Sequence, residues 1–329
     1  MNRYMPVVAL LVGILLGSVG CYVYFLSVRQ PRSYLVNTSG NVNAYKYLIN
    51  SYNSTLGLCY LYPGSDVYWV CHDNILASCV LEQWNKTVAG NITKTVRSIA
   101  QTYGLNTSED GLPLDCKMEA LLGYEVPFLL SDTESMTLNS SYYGSVLNTE
   151  ITMPNSYLNI TAYADTLCYA SLVEWRNENY SGADFYFQQA KAMWDGKGFK
   201  DTVAAQNGYY ATYKLGLFYM TSQVLGLDFD FKRELVDTVW ACQLLNGGFK
   251  TDYYEIGSFP NNSKTNTETT SIILLANIPT NLEITDYNGL ARELTLSRSL
   301  NYIFMTTIII LTIAVVYLAR RPKSTSKGT

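Results

Sequence analysis

Six acidic residues stand near aromatic residues in the central part of the chain, a combination that is typical of sites acting on sugars. Two carboxyl groups can serve as general acid and general base when a glycosidic bond is hydrolysed. The sequence predicts that two of the six form this pair and does not assign their roles. The candidate catalytic residues are Asp73, Asp165, Asp195, Asp201, Asp252 and Glu268.

Residues close to these acids are candidates for substrate binding. The chain contains 28 tyrosines and 5 tryptophans, and aromatic rings offer flat apolar faces on which sugar rings can stack. A structural interpretation also applies to each candidate, because Asp often caps helices and Tyr often fills a core that ends in water. The candidate binding residues are Asn74, Tyr163, Trp194, Tyr209, Tyr213, Lys214 and Tyr253.

Other chemistries find less support in the sequence. His72 is the only histidine, which excludes a metal site built from several histidines. Cys71, His72 and Asp73 suggest a nucleophile with its base, but adjacent residues on a helix point about 100° apart and should not converge. P-loop and dinucleotide-binding motifs do not occur. We therefore expect neither a metal ion nor a cofactor.

Apolar residues recur at spacings of three and four along eight segments, and this pattern predicts helices. Residues 124 to 160 differ, because apolar residues alternate there with Ser, Thr and Asn, and Pro127 and Pro154 interrupt the run. This pattern predicts a small β-hairpin or insertion. The expected fold class is therefore all-α with a small β insertion. The predicted helices cover 41–52, 67–84, 90–103, 160–176, 182–194, 208–225, 230–245 and 266–276.

Two short segments form a faint internal repeat. Residues 194–201 read WDGKGFKD and residues 245–253 read LNGGFKTDY, and a predicted helix with a polar start follows each. A weaker third copy covers residues 57–77. In a repeat of helical hairpins, the inner helices begin at one end of the domain, so polar residues at their starts should meet there.

These motifs resemble those of α/α-toroid proteins, a group that includes six-hairpin glycosidases, terpenoid cyclases and protein prenyltransferases. The resemblance rests on Gln243-x-x-Asn246-Gly247-Gly248-Phe249 and on Thr267-Glu268-Thr269-Thr270, and it spans most of residues 40–277. It implies a barrel of helical hairpins with a ligand funnel, and glycoside hydrolase or polysaccharide lyase activity. The Asp-rich signatures of terpenoid cyclases are missing, and the Asp, Cys and His zinc set of prenyltransferases has no clear counterpart.

Uncharged segments at 5–27 and 302–319 approach the roughly 20 residues that a helix needs to cross a bilayer. They predict a membrane anchor within residues 1–30, for which a cleaved signal peptide is the alternative, and a transmembrane helix at 301–319. The basic tail at 320–329 is then cytoplasmic, and the domain at 33–285 is extracellular, with a stalk at 286–300.

Nine Asn-x-Ser/Thr triplets between these segments agree with a glycosylated extracellular domain. Six cysteines in that domain permit up to three disulfides. All 27 acidic residues but only 16 of the 23 basic residues lie between positions 33 and 300, and this surplus of acid argues against nucleic acid as a partner.

The expected function is that of a membrane-anchored surface protein, similar to archaeal proteins of that type, which binds a glycan. Hydrolysis or cleavage of the glycan is the further expectation. The alternative is a non-catalytic adhesin, envelope-layer component or assembly protein that uses the domain as a scaffold. The expected partners are the lipid bilayer and a glycan or similar surface polymer.

Overall fold

A computed structural model describes residues 39–278, apart from 127–129, 155 and 157. Each of the eight predicted helices overlaps a helix of the structure, and two short helices had not been predicted, α4 and α7. The helices are α1 (Ser39–Ser51), α2 (His72–Leu81), α3 (Lys86–Tyr103), α4 (Cys116–Leu122), α5 (Ala164–Arg176), α6 (Tyr180–Ala192), α7 (Thr202–Asn207), α8 (Thr212–Leu225), α9 (Lys232–Ala241) and α10 (Thr267–Leu275).

The described residues also form three β-sheets, so the fold is mixed and the expected all-α class is wrong. Strand β5 is the centre of the largest sheet, where it pairs in parallel with β3 and antiparallel with β4. The β4–β5 hairpin lies inside the range predicted for a β insertion. Strand β3, in contrast, occupies a segment predicted as helix, because three residues carry too little pattern to reveal a strand. The strands are β1 (Tyr52–Asn53), β2 (Leu58–Cys59), β3 (Val67–Trp69), β4 (Thr133–Tyr142), β5 (Ser145–Thr152), β6 (Tyr210–Ala211) and β7 (Asp252–Tyr253).

Four helices form the centre of the structure. Helix α10 packs against both α2 and α8, and α8 also packs against α5. Helices α2, α8 and α10 are buried on nearly all sides, as expected for helices that are surrounded by protein. Gly216 permits the close approach of α8 to α10, since a Cβ atom there would lie 3.2 Å from side-chain atoms of Ile272 and Ile273.

Outer helices cover these central ones. Helix α3 packs on α2, α6 on α5, and α9 on α8. Helix α3 illustrates the pattern, because Ala89, Ile92, Val96 and Ile99 recur at spacings of three and four and are its buried side. Its start is capped by Asn85, whose side chain accepts a hydrogen bond from the Val88 amide.

The two copies of the predicted repeat form similar turns that close on a phenylalanine, and the second turn is one residue longer. Trp194 pairs with Phe199 in one turn, Gln243 pairs with Phe249 in the other, and both phenylalanines are buried. Gly247 has a φ of +90°, and a Cβ atom on it would lie 2.1 Å from the carbonyl oxygen of Asn43 in α1. Only glycine fits there, because both the backbone conformation and the contact exclude a side chain.

Within the described part of the chain, no helix is both long enough and apolar enough to cross a membrane. This finding contradicts the predicted membrane localisation. The two uncharged segments on which that prediction rested lie outside the described residues, and so do the predicted stalk and basic tail.

The predicted disulfides are also wrong for the described residues, where all six cysteines are free thiols. Five of them are buried and Cys79 is half-buried. They lie in different parts of the fold, and the thiols of Cys59 and Cys116 donate hydrogen bonds to the carbonyl groups of Leu48 and Ser131. The even number of cysteines therefore did not reflect pairing.

Candidate functional site

The central helices begin at the same end of the structure, and their first residues bring charged side chains together. His72 and Glu268 open α2 and α10, and His72 Nδ1 lies 3.4 Å from Glu268 Oε1. Asp165 and Lys214 open α5 and α8, and Lys214 Nζ lies 3.3 Å from Asp165 Oδ1. The partial positive charge at helix N-termini favours carboxylates at this end.

The first group of side chains, the His72 cluster, comprises His72, Asp73, Asp115, Glu150 and Glu268. Asp115 Oδ2 lies 2.5 Å from His72 Nε2, and Glu150 Oε2 lies 3.6 Å from the same nitrogen. Glu268 approaches the other ring nitrogen. One imidazole thus stands among three carboxyl groups that come from distant parts of the chain.

Local structure explains how Asp115 and Glu150 reach this position. Asp115 caps α4, and its Oδ1 accepts hydrogen bonds of 2.9 Å from the amides of Lys117 and Met118. Its Oδ2 remains directed at His72. Glu150 lies on β5, which runs parallel to β3 with Trp69 opposite Asn148. His72 follows β3 directly, so the parallel pairing carries Glu150 alongside it.

Electrostatic effects in the His72 cluster follow from burial and pairing. Burial alone would lower the pKa of His72, but Asp115 and the other neighbours raise it well above the ordinary value. Burial would raise the pKa of Asp115, but the His72 charge lowers it overall. Burial and then Glu268 raise the pKa of Asp73 well above its ordinary range. Asp73 Oδ2 has no hydrogen-bond partner among the described residues.

The second group, the Lys214 cluster, comprises Tyr163, Asp165, Asp201, Tyr213 and Lys214. Lys214 Nζ lies 2.5 Å from Asp201 Oδ2, and the Tyr213 hydroxyl donates a 2.7 Å hydrogen bond to Asp165 Oδ2. The ammonium group also lies 5.9 and 5.8 Å from the ring centres of Tyr163 and Tyr213, within reach of cation–π attraction. Burial would lower the pKa of Lys214, but the two aspartates raise it.

Tyr169 connects the two clusters electrostatically. Burial raises the pKa of this residue well above its ordinary value, and Asp165, Glu268 and Asp115 raise it further. Carboxylates of both clusters therefore raise the pKa of the same hydroxyl group. Solvent reaches this region through three of its acids, because the side chains of Glu268, Glu150 and Asp165 are 29%, 24% and 16% exposed.

The structure therefore brings together Asp73, Asp165, Asp201 and Glu268 among the candidate acids, with Tyr163, Tyr213 and Lys214 beside them. Asp201 also caps α7, because its side chain accepts a hydrogen bond from the Ala204 amide.

The remaining two candidate acids take part in turns. Asp195 lies on an exposed loop, where it accepts hydrogen bonds from the amides of Lys197 and Gly198 and from the Tyr210 hydroxyl. Asp252 accepts a 2.6 Å hydrogen bond from the Thr251 hydroxyl, and burial raises its pKa. Among the described contacts, no hydrogen bond or ion pair joins either acid to the two clusters.

Two candidate binding residues have buried structural positions. The Asn74 side chain accepts a hydrogen bond from the Cys59 amide and donates to the carbonyl groups of Cys59 and Trp69. Tyr253 is buried, and its hydroxyl donates to the Lys197 carbonyl. Both side chains hold loops in place and neither faces the clusters with a free polar group.

Two further candidate binding residues, Trp194 and Tyr209, pack against other aromatic rings. Trp194 stacks on Phe231 with ring centres 4.4 Å apart, and it also meets Phe199 edge to face. Tyr209 meets Tyr254 edge to face at 6.3 Å. Trp194 therefore serves the packing of the first repeated turn.

Sequence reasoning missed Asp115 and Glu150, and it considered and rejected Cys71 together with His72. The expected divergence of Cys71 and His72 is wrong, because Cys71 precedes α2 with a non-helical ψ of −88°. Cys71 Sγ, a ring nitrogen of His72 and a carboxylate oxygen of Asp115 all lie within 4.8 Å of one another. The position of Asp115 before the apolar residues of α4 was an available signal for a cap. No local signal marks Glu150.

Comparisons of the chain with protein-family models, with curated proteins and with solved structures gave no match. The arguments for function therefore come from the geometry of the two clusters.

Proposed function

We propose that the protein hydrolyses the glycosidic bond of a neutral glycan, with Asp165 and Glu268 as the two carboxyl groups at the reacting bond. The observation that carries this proposal is that both residues open central helices that pack on α8, and both remain partly exposed. Tyr163 and Tyr213 stand beside Asp165, where a sugar ring would find an apolar face and hydroxyl groups.

Burial distinguishes these two acids from the other candidates at the same end. Asp73 and Asp201 are almost inaccessible, so they do not touch a substrate. Asp201 supports the exposed pair indirectly. Asp201 binds Lys214, which in turn lies beside Asp165.

The existing ion pairs indicate which substrates fit. Lys214 is engaged by Asp165 and Asp201, and His72 by Asp115, Glu150 and Glu268. No described side-chain cation in the two clusters is therefore left to bind an anionic sugar. A lyase needs such a cation, because it must neutralise the carboxylate of a uronic acid. Hydrolysis of an uncharged sugar therefore fits better than lyase chemistry, because carboxylates and tyrosines can hydrogen-bond sugar hydroxyls.

The chemical steps follow from the two carboxyl groups. One protonates the oxygen of the leaving sugar, and the other either activates water or attacks the anomeric carbon. Substrates with different leaving groups can show which carboxyl group is the acid and which is the base. A substrate with an activated aryl leaving group needs little protonation, so loss of the acid should affect it less than loss of the base.

The test uses the full-length protein with neutral oligosaccharides and matching aryl glycosides. Asp165→Asn and Glu268→Gln should each lower kcat/KM on oligosaccharides by about 10²–10⁴-fold, the usual contribution of a general acid or base. Asp195→Asn and Asp252→Asn are the matched controls and should stay within about twofold. Absence of hydrolysis by the wild type, or full activity in both site variants, would refute the proposal.

A non-catalytic glycan-binding protein is the second candidate. It is favoured by the contacts of both proposed catalytic acids within the protein, because Lys214 and the Tyr213 hydroxyl engage Asp165 and His72 lies 3.4 Å from Glu268. In that case calorimetry would detect binding of an intact glycan, weakened in Asp165→Asn, while the wild type would leave the glycan uncleaved.

A further inference from the structure

We infer that the His72 cluster holds a divalent metal ion on the Nε2 side of the imidazole, and that the ion is zinc. The four ligands are Cys71 Sγ, His72 Nε2, Asp115 Oδ2 and Glu150 Oε2. The inference concerns metal binding and does not depend on hydrolase activity.

Distances among the ligand atoms carry the inference. His72 Nε2 is 2.5 Å from Asp115 Oδ2 and 3.6 Å from Glu150 Oε2, and the Cys71, His72 and Asp115 ligand atoms lie within 4.8 Å of one another. Ligand atoms that share a tetrahedral zinc lie about 3–4 Å apart, because the bonds are about 2.0–2.3 Å long. Cys71, His72 and Asp115 form the compact group, in which the His72–Asp115 distance must open slightly to admit the ion. Glu150 lies outside this group and would turn toward the ion to become the fourth ligand.

The surrounding charge favours a cation. Asp115, Glu150 and Glu268 converge on one imidazole, and the described ion pairs of these three acids are with His72 and with Lys117, which lies 3.8 Å from Glu150. Asp73 lies beside these acids, buried and without a described partner for its Oδ2, and its raised pKa favours the uncharged form. Buried charges require compensation, and a divalent ion provides it for several carboxylates at once.

Ligand chemistry selects the ion. Thiolate and imidazole ligands suit zinc, whereas magnesium and calcium prefer oxygen ligands alone. Four protein ligands also fill a tetrahedral shell, which is typical of a structural rather than a catalytic zinc. The ion would join the start of α2, the cap of α4 and strand β5.

Glu268 completes the arrangement from the opposite side of the ring. Its Oε1 lies 3.4 Å from His72 Nδ1. Histidine ligands commonly donate their second N–H to a carboxylate, which fixes the ring orientation, and losing such a partner typically lowers metal affinity 10–100-fold. Glu268 is therefore a positioning residue for the metal ligand.

The experiment measures metal binding by the full chain after chelator treatment and dialysis. Titration with Co²⁺, and competition with Zn²⁺, should show one ion per chain and the charge-transfer absorption of a thiolate bound to cobalt. Cys71→Ser should lose that absorption, whereas Cys168→Ser, which removes a buried thiol outside the cluster, should retain it. Zinc should raise the unfolding temperature and chelator should reverse the rise.

A second variant keeps the test decisive where Cys71→Ser fails to fold. Glu150→Gln alters a partly exposed side chain and should lower zinc affinity at least tenfold while keeping the thiolate absorption. Glu134→Gln on the neighbouring strand β4 is its control and should bind normally. Absence of stoichiometric binding, thiolate absorption that persists in Cys71→Ser, or wild-type affinity in Glu150→Gln would each overturn the inference.

Discussion

The ammonium group of Lys214 lies 2.5 Å from the carboxylate of Asp201, and the two side chains are only 6% and 1% exposed. Removing one partner of a buried ion pair leaves the other charge without compensation, which typically costs 3–5 kcal/mol. Lys214→Met should therefore lower the free energy of unfolding by about 3–5 kcal/mol, measured by urea denaturation.

The matched control for that prediction is Lys197→Met. Lys197 pairs with Glu255 at 3.4 Å, but these side chains are 57% and 62% exposed. Exposed pairs contribute roughly 0–1 kcal/mol because water and salt screen them. Equal losses in the two variants would contradict the assignment of Lys214 to a buried network.

The two repeated turns predict unequal responses to alanine. Gly247 and Gly196 have φ values of +90° and +95°, but a Cβ atom on Gly247 would clash with the Asn43 carbonyl, whereas Gly196 has no neighbour within 4 Å. Gly196→Ala should cost about 1 kcal/mol for the unfavourable backbone alone. Gly247→Ala should cost clearly more, because α1 must also move. Thermal unfolding of both variants, compared with wild type, checks this order.

Asp195 should make the free energy of unfolding depend on pH in the acidic range. Although partial burial acts to raise the pKa of Asp195, hydrogen bonds from Tyr210 and two amides lower it overall. Its contribution to stability is therefore present above the ordinary Asp pKa of about 4 and is lost as pH falls through the lowered folded-state value. Because the group is largely exposed, the effect should be small.

That pH effect can be measured by urea denaturation at a series of pH values. Asp195→Asn should lose less stability than wild type between about pH 5 and pH 2. Tyr210→Phe should reduce the acid sensitivity in the same direction, because it removes one hydrogen bond to the charged form. Identical pH profiles in all three proteins would be the contrary result.

Thiol labelling should separate the described cysteines into two classes. Cys79 is half-buried and should react in the native protein, whereas the other five are buried and should react only after denaturation without a reducing agent. Peptide mapping by mass spectrometry would assign each label. A cysteine that stays unlabelled in denaturant and becomes reactive after reduction would reveal a disulfide and contradict the structure.

Helices could be predicted from the sequence where the pattern is local. Helix α3 is amphipathic along its whole length, and the Gly-Phe turns repeat the same few residues, so a short window contains the signal. The parallel pairing of β3 with β5 could not be predicted. It joins Trp69 to Asn148, and a three-residue strand has no periodicity of its own.

The candidate site was predictable to a similar degree. Asp165, Lys214 and Glu268 stand at the polar starts of apolar helices, which is a local signal. Asp115 and Glu150 reach His72 only through the tertiary fold, so neither could be identified. Asp195 and Asp252 were misleading because acids in turns have the same local pattern as acids in a site.

The contact between His72 and Glu268 joins residues 196 positions apart in the chain. A zinc ion held by Cys71, His72, Asp115 and Glu150 would thus depend on a late segment that supplies none of its ligands, because Glu268 orients the imidazole. A chain that ends before Glu268 would keep all four ligands and still bind zinc more weakly. Added zinc would accordingly hold more of the chain in its complete native form.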